Sequence, residues 1–180
     1  MNNMADAAVA TRGFTMIELL VTMAVAAILL TIAVPNYQLF LINSQMTSKS
    51  NDLLGALQLA RSEAIKRNSR VSVCKGAGGA CGAAGTWAQG WMVFVDGGVA
   101  GTMDGTDVPI QIYPALTGTS TLDASANISN FISYLPTGTP NLAVGTTATL
   151  TLCPGVAGAS GRDIQVVAAG RASIVNAMCP

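Results

Sequence analysis

Gly13-Phe14-Thr15-Met16-Ile17-Glu18-Leu19-Leu20 opens a mostly apolar run that ends at Val34, and the reading of this stretch decides the fold. The 21 residues from Phe14 to Val34 make a helix of about 32 Å at about 1.5 Å per residue, enough to cross the hydrocarbon of a bilayer. The run carries one carboxylate, Glu18, at its fifth position. A charge held in hydrocarbon costs roughly 2.5–3.5 kcal/mol or more, so Glu18 needs a partner or a function. A secretory signal peptide would be cut after its apolar run, near a small-x-small pattern. Pro35-Asn36-Tyr37 follows here and fits that pattern poorly. The residues alone leave two arrangements open: removal of the segment before the run, or an uncleaved anchor.

Helical spacing resumes behind Pro35, a residue that can kink a helix without ending it. Leu53, Leu57, Ala60 and Ala64 step by four, three and four and form one apolar stripe. Charged residues from Lys49 to Arg67 fill the positions between. One helix from Phe14 to Asn68 is expected, roughly 80 Å long, apolar all round in its first half and amphipathic in its second.

The remainder reads as a β-rich head. Strands are expected at Arg70–Cys74, Trp91–Val95, Pro109–Tyr113, Ile128–Leu135, Thr149–Leu152, Asp163–Val166 and Ser173–Val175. Glycine-bearing loops separate them at Lys75–Gly85 and Gly101–Asp107, with turns at Asp96–Gly98 and Ala168–Arg171. The fold class is α+β: a long N-terminal helix, membrane half plus amphipathic half, packed on a small head with an antiparallel sheet on its stripe. Sheet order is not legible from these patterns.

Net charge is zero, so no global bias toward nucleic acid or acidic lipid exists. Its distribution is uneven. Six basic and two acidic residues lie between Gln45 and Lys75, whereas Gly76 to Ser160 has four aspartates and no basic residue. A positive shoulder and a negative flank of this kind can orient subunits in an assembly. The chain has no histidine, which excludes Ser-His, Cys-His and His-ligated metal sites. It has no clustered carboxylates and no phosphate loop either, so neither enzyme activity nor a cofactor or metal is expected. Trp87 and Trp91 read as core or sheet-face aromatics rather than a stacking platform for single-stranded DNA. The cysteines at 74, 81, 153 and 179 lack redox or zinc-knuckle spacing. Behind a membrane-inserted N-terminus they read as disulfides, with three pairings open.

The segment Gly13 to Leu20, with its long apolar continuation, resembles the type IV pilin and pseudopilin signature: a glycine, then phenylalanine, then glutamate fifth. The head resembles the FimT/GspH group through Val71–Cys74, Trp87–Asp96, Leu150–Cys153, Arg162–Val166 and Gly170-Arg171. The resemblance implies that a prepilin peptidase cuts after Gly13 and methylates the new N-terminus at Phe14. Residues 1–13 would then be the leader, 14–34 the transmembrane and filament-core segment, 35–68 the amphipathic continuation and 69–180 a periplasmic head on an inner-membrane, single-pass anchor.

Further expectations follow from the resemblance. Glu18 would meet the cleaved N-terminus of a neighbouring subunit. Partners would be the peptidase, other major and minor pilins, the inner-membrane assembly platform, and membrane lipid before assembly. Local spacing and the resemblance together favour the pairs Cys74–Cys81 and Cys153–Cys179. The expected role is that of a FimU/FimT-like minor pilin, in an initiating or tip complex of a type IV pilus. The alternatives are an H-type pseudopilin of type II secretion and a DNA-binding minor pilin of natural transformation. Some FimT proteins bind DNA through a C-terminal Gly-Arg-x-Arg element, which makes Arg162 and Arg171 the candidate DNA contacts. Here Gly170-Arg171-Ala172-Ser173 lacks the second arginine, and fewer cations mean weaker attraction for phosphates.

Overall fold

The computed structural model describes residues 13–76, 81, 85–156 and 159–179. Residues 1–12 of the expected leader, and 77–80 and 82–84 of the expected Lys75–Gly85 loop, lie outside the described residues. The chain divides into two compact units, Met1–Gln38 and Leu39–Pro180, and one helix, α1 (Met16–Arg67), belongs to both.

In the first unit α1 begins on Thr15, whose carbonyl accepts the Leu19 N–H at 3.2 Å and whose hydroxyl accepts the Glu18 N–H at 3.3 Å. Thr15 is thus an N-cap that satisfies one orphan donor of the first turn. Beyond it the large side chains stand exposed on every side of the helix, from Met16 at 92% to Val34 at 49%. The side chains of Thr22, Thr31 and Asn36 donate to the carbonyls of Leu19, Ile28 and Ile32 in the preceding turn. These three side chains therefore satisfy a donor without water, as a bilayer demands.

In the second unit the expected stripe is buried, and it extends further up the helix: Met46, Ser50, Leu53, Leu57, Ala60 and Ala64 are each at most 3% exposed. The helix closes with a Schellman turn. Asn68 takes φ 50°, its N–H reaches the Ile65 carbonyl, and the Ser69 N–H reaches that of Ala64. Asparagine tolerates this left-handed position better than most residues, and Lys66 and Arg67 place positive charge at the helix C-terminus.

The head holds eight strands: β1 (Val71–Lys75), β2 (Trp91–Val95), β3 (Val108–Tyr113), β4 (Thr121–Ala124), β5 (Phe131–Tyr134), β6 (Thr147–Cys153), β7 (Gly161–Val167) and β8 (Ala172–Ala177). They form two antiparallel four-stranded sheets, ordered β3-β2-β1-β5 and β4-β6-β7-β8, rather than one. The surplus strand is β4, which has four residues and one buried side chain, Leu122. That is too little alternation to register in sequence. The expected strand at Ile128–Leu135 is shorter, because Ala126–Ile128 makes a 3-10 turn that buries Ile128.

Helix stripe and both sheets share one core. The first sheet is also covered on its far face by a smaller cluster of Cys74, Met92 and Phe94, flanked by Cys81, Met103 and Phe131. That double cover explains the unbroken apolar sequence of β2: Trp91 and Val93 face the main core, Met92 and Phe94 the smaller one. Disulfides Cys74–Cys81 and Cys153–Cys179 join Cα atoms 5.6 and 5.8 Å apart.

Candidate assembly interface

Glu18 is the third residue of α1 and the acidic residue of its first turn. A carboxylate there suits the positive end of the helix dipole. It is exposed, as are Phe14, Met16 and Ile17 around it, and it makes no ion pair among the described residues. Gly13 is open, with nothing within 4 Å of the place a Cβ would take. Gly13, Phe14 and Glu18 thus stand together at the free start of an apolar helix whose most hydropathic window is 0% buried. Such a helix requires lipid or other helices around it.

The charge asymmetry of the sequence is largely consumed inside the head. Lys49 pairs with Asp52 at 3.7 Å, Lys66 and Arg67 both pair with Glu63, and Arg70 pairs with Asp96 at 2.7 Å. The Arg67 hydrogen bond, helped by the charges of Lys66 and Arg67, holds the Glu63 carboxyl below its ordinary range against the opposing effect of desolvation. Asp96 is buried and also accepts from the Ser72 hydroxyl and, at 2.8 Å, the Gly101 N–H, while Ser72 touches Ser133 at 2.6 Å. Asp107 accepts the N–H groups of Gly97 at 2.8 Å and Asp104 at 3.0 Å, and Asp104 accepts that of Val99 at 3.0 Å. These aspartates close their own loop. Of the acidic flank, then, three carboxylates serve structure.

Arg61, Lys75, Arg162 and Arg171 make no ion pair among the described residues. Arg162 and Arg171 are not brought together. Arg162 pairs with Asn176 in the β7–β8 ladder, whereas Arg171 directly precedes Ala172, the partner of Val166. About five strand residues, roughly 16 Å, separate them. Trp87 and Trp91 are buried at 2% and 1% exposure. Trp87 donates its ring N–H to the Ser129 carbonyl at 3.2 Å, and Trp91 stacks on Tyr113 with centroids 5.4 Å apart.

Two residues gave no functional signal in sequence. Arg61 reaches from α1 to donate to the carbonyls of Gly170 at 3.0 Å and Ala169 at 3.3 Å. Gly170 accommodates this only without a side chain, since a Cβ would strike the Gly138 carbonyl oxygen and the Arg61 guanidinium, and its φ is +82°. Tyr134 is 0% exposed, and its hydroxyl has no hydrogen-bond partner among the described residues. Burial pushes that hydroxyl up to about 12, with the nearby Arg61 charge opposing. A lone arginine or tyrosine in a repeat-free sequence carries no mark of such a meeting.

Known proteins share this architecture. The FimU type IV minor pilin of Pseudomonas aeruginosa superposes with a TM-score of 0.59 at 20% identity, covering 76% of this chain and 92% of that one. The minor pseudopilin EpsH of the type 2 secretion system of Vibrio cholerae gives 0.52 at 13% identity, covering 73% and 96%. A search among curated proteins finds no match. Residues 10–34 match the prokaryotic N-terminal methylation motif, and residues 49–170 match the family described as type II transport protein GspH. The chain belongs to the GspH family of type II transport proteins and carries the prokaryotic N-terminal methylation motif.

Proposed function

We propose that the chain is made as a precursor, cut by a prepilin peptidase between Gly13 and Phe14, methylated at Phe14, and assembled through α1 into a type IV pilus as a minor subunit of an initiating or tip complex. The observation that carries this reading is the placement of Glu18: one carboxylate in the first turn of a helix whose apolar first part is unburied, five residues from Gly13. Before assembly the helix anchors the protein in the inner membrane with its head in the periplasm, where the two disulfides suit an oxidising compartment. On entering the filament, Glu18 meets the new N-terminal ammonium of a neighbour. Pairing recovers much of the desolvation penalty of both charges and penalises every other register. The assembly platform and other pilins are its partners.

The test is Glu18→Ala, compared with wild type in isolated membranes and in sheared filaments. The variant should insert and be processed normally, yet incorporate at least about tenfold less, the equivalent of about 1.4 kcal/mol in docking. Undiminished incorporation would overturn the pairing. Mass spectrometry of the mature chain should find N-methyl-Phe14 at the terminus; a chain that still begins at Met1 would overturn the processing. The GspH family match favours a second reading, the H-type pseudopilin of a type II secretion system. The closer likeness to FimU than to EpsH supports the pilus. Co-purification of the full-length chain with pilus or with secretion subunits separates the two.

A further inference from the structure

A cleft of about 240 Å³ opens between the second half of α1, β5 and the β7–β8 turn. Leu57, Ile65 and Ala172 give it apolar walls, Arg61 and Arg171 its charge, and Tyr134 also lines it. None of its lining residues is acidic. The Arg61 guanidinium is fixed by its bonds to the Ala169 and Gly170 carbonyls. Arg171 is exposed, and neither arginine has an ion-pair partner among the described residues. The Tyr134 hydroxyl is buried and has no hydrogen-bond partner among the described residues. A buried donor without an acceptor costs about 1–3 kcal/mol, so an acceptor oxygen brought to it would be stabilised.

Two arginines, apolar walls and no acidic residue suit negatively charged oxygens at the end of a short apolar stem. We propose that this cleft receives the carboxylate of an acidic side chain from a neighbouring pilin subunit, held by Arg61 and Arg171 and hydrogen-bonded by the Tyr134 hydroxyl. The proposal rests on the assembly reading for the source of that side chain, although the chemistry of the cleft does not. A nucleic-acid strand fits less well. It needs a row of cations along its backbone, whereas Arg67 and Lys66 are engaged by Glu63 and Arg162 lies at the other end of the hairpin. One enclosed carboxylate needs no more than the two arginines and the hydroxyl.

The experiment titrates the full-length chain, in detergent micelles, with N-acetyl-glutamate N-methylamide, its glutamine counterpart and a single-stranded oligonucleotide, reading arginine side-chain NMR signals. The glutamate probe should saturate, shifting the Arg61 and Arg171 signals, and the glutamine probe should not. Arg171→Ala and Tyr134→Phe should each weaken the glutamate probe roughly tenfold, while Arg162→Ala leaves it unchanged. Tyr134→Phe should fold at least as stably as wild type, because it removes an unpaired hydroxyl, so its lost binding is not lost structure. Equal binding of both amino-acid probes, binding indifferent to both cleft variants, or an oligonucleotide that alone depends on Arg171 would each overturn the proposal. In cells, Arg171→Glu should reduce co-purification with other pilins and leave N-terminal processing intact; unchanged co-purification would reject the neighbouring-subunit source even where the titration succeeds. If Glu18→Ala incorporates normally, the N-terminal pairing falls while the titration stands or falls on its own.

Discussion

At the scale of single residues, Tyr134 carries the sharpest consequence for solution behaviour. Its hydroxyl is pushed up to about 12 by burial, against an ordinary value of 10.0. The folded state therefore prefers the neutral phenol more strongly than the unfolded state does. This contribution is fully present below about pH 10 and is lost as pH rises through about 12, amounting to roughly 3 kcal/mol. Denaturation midpoints of the full chain measured from about pH 9 to about pH 11.5 should fall, and Tyr134→Phe should fall less steeply. An identical alkaline slope for both chains would show that Tyr134 is not the group responsible. The contrast with Glu18 explains what sequence makes legible at this scale. A carboxylate inside an apolar run contradicts its surroundings, so it declares itself. A tyrosine in a β-prone segment contradicts nothing, and only the arrival of α1 and the β7–β8 turn from distant parts of the chain gives its hydroxyl a problem to solve.

At the scale of elements, the stripe on α1 and the alternation of β6 and β7 were readable because each has one face on the shared core. Strand β3 alternated convincingly, yet it is an edge strand whose residues are exposed or half-buried; alternation there marks the pleat more than the core. Strand β4 was illegible for the opposite reason, being an edge with one buried residue. Covalent links hold the margins of this arrangement. Cys74–Cys81 closes a separation of 7 residues and Cys153–Cys179 one of 26. If restriction of the unfolded chain dominates, these are worth about 2 and about 3 kcal/mol, the longer loop gaining about 1 more. The paired substitutions Cys74→Ser with Cys81→Ser, and Cys153→Ser with Cys179→Ser, should lower stability in that order in urea denaturation. Equal losses, or a larger loss from the short loop, would show that native contacts outweigh chain entropy here.

At the scale of the whole molecule, the two units draw stability from different sources. Leu39–Pro180 has a core of its own, in which Leu57 is 0% exposed among residues of both sheets. In the Met1–Gln38 unit the described apolar side chains from Phe14 on are exposed and find burial only in lipid or among other helices. A helix continuous in sequence can therefore open in one part and stay closed in the other, because backbone hydrogen bonds are broken turn by turn. Leu57→Ala should cost about 2–5 kcal/mol through lost burial and a residual cavity. Hydrogen exchange of the full chain in bilayer nanodiscs should then speed up at the amides of 46–67 and throughout the strands. The amides of 16–34, protected by hydrocarbon rather than by the head, should exchange at the wild-type rate. Transfer to a weakly binding detergent should reverse the pattern, loosening 16–34 first. Joint acceleration of both parts by Leu57→Ala would show that the head also stabilises the membrane half, and that α1 opens as a single cooperative element.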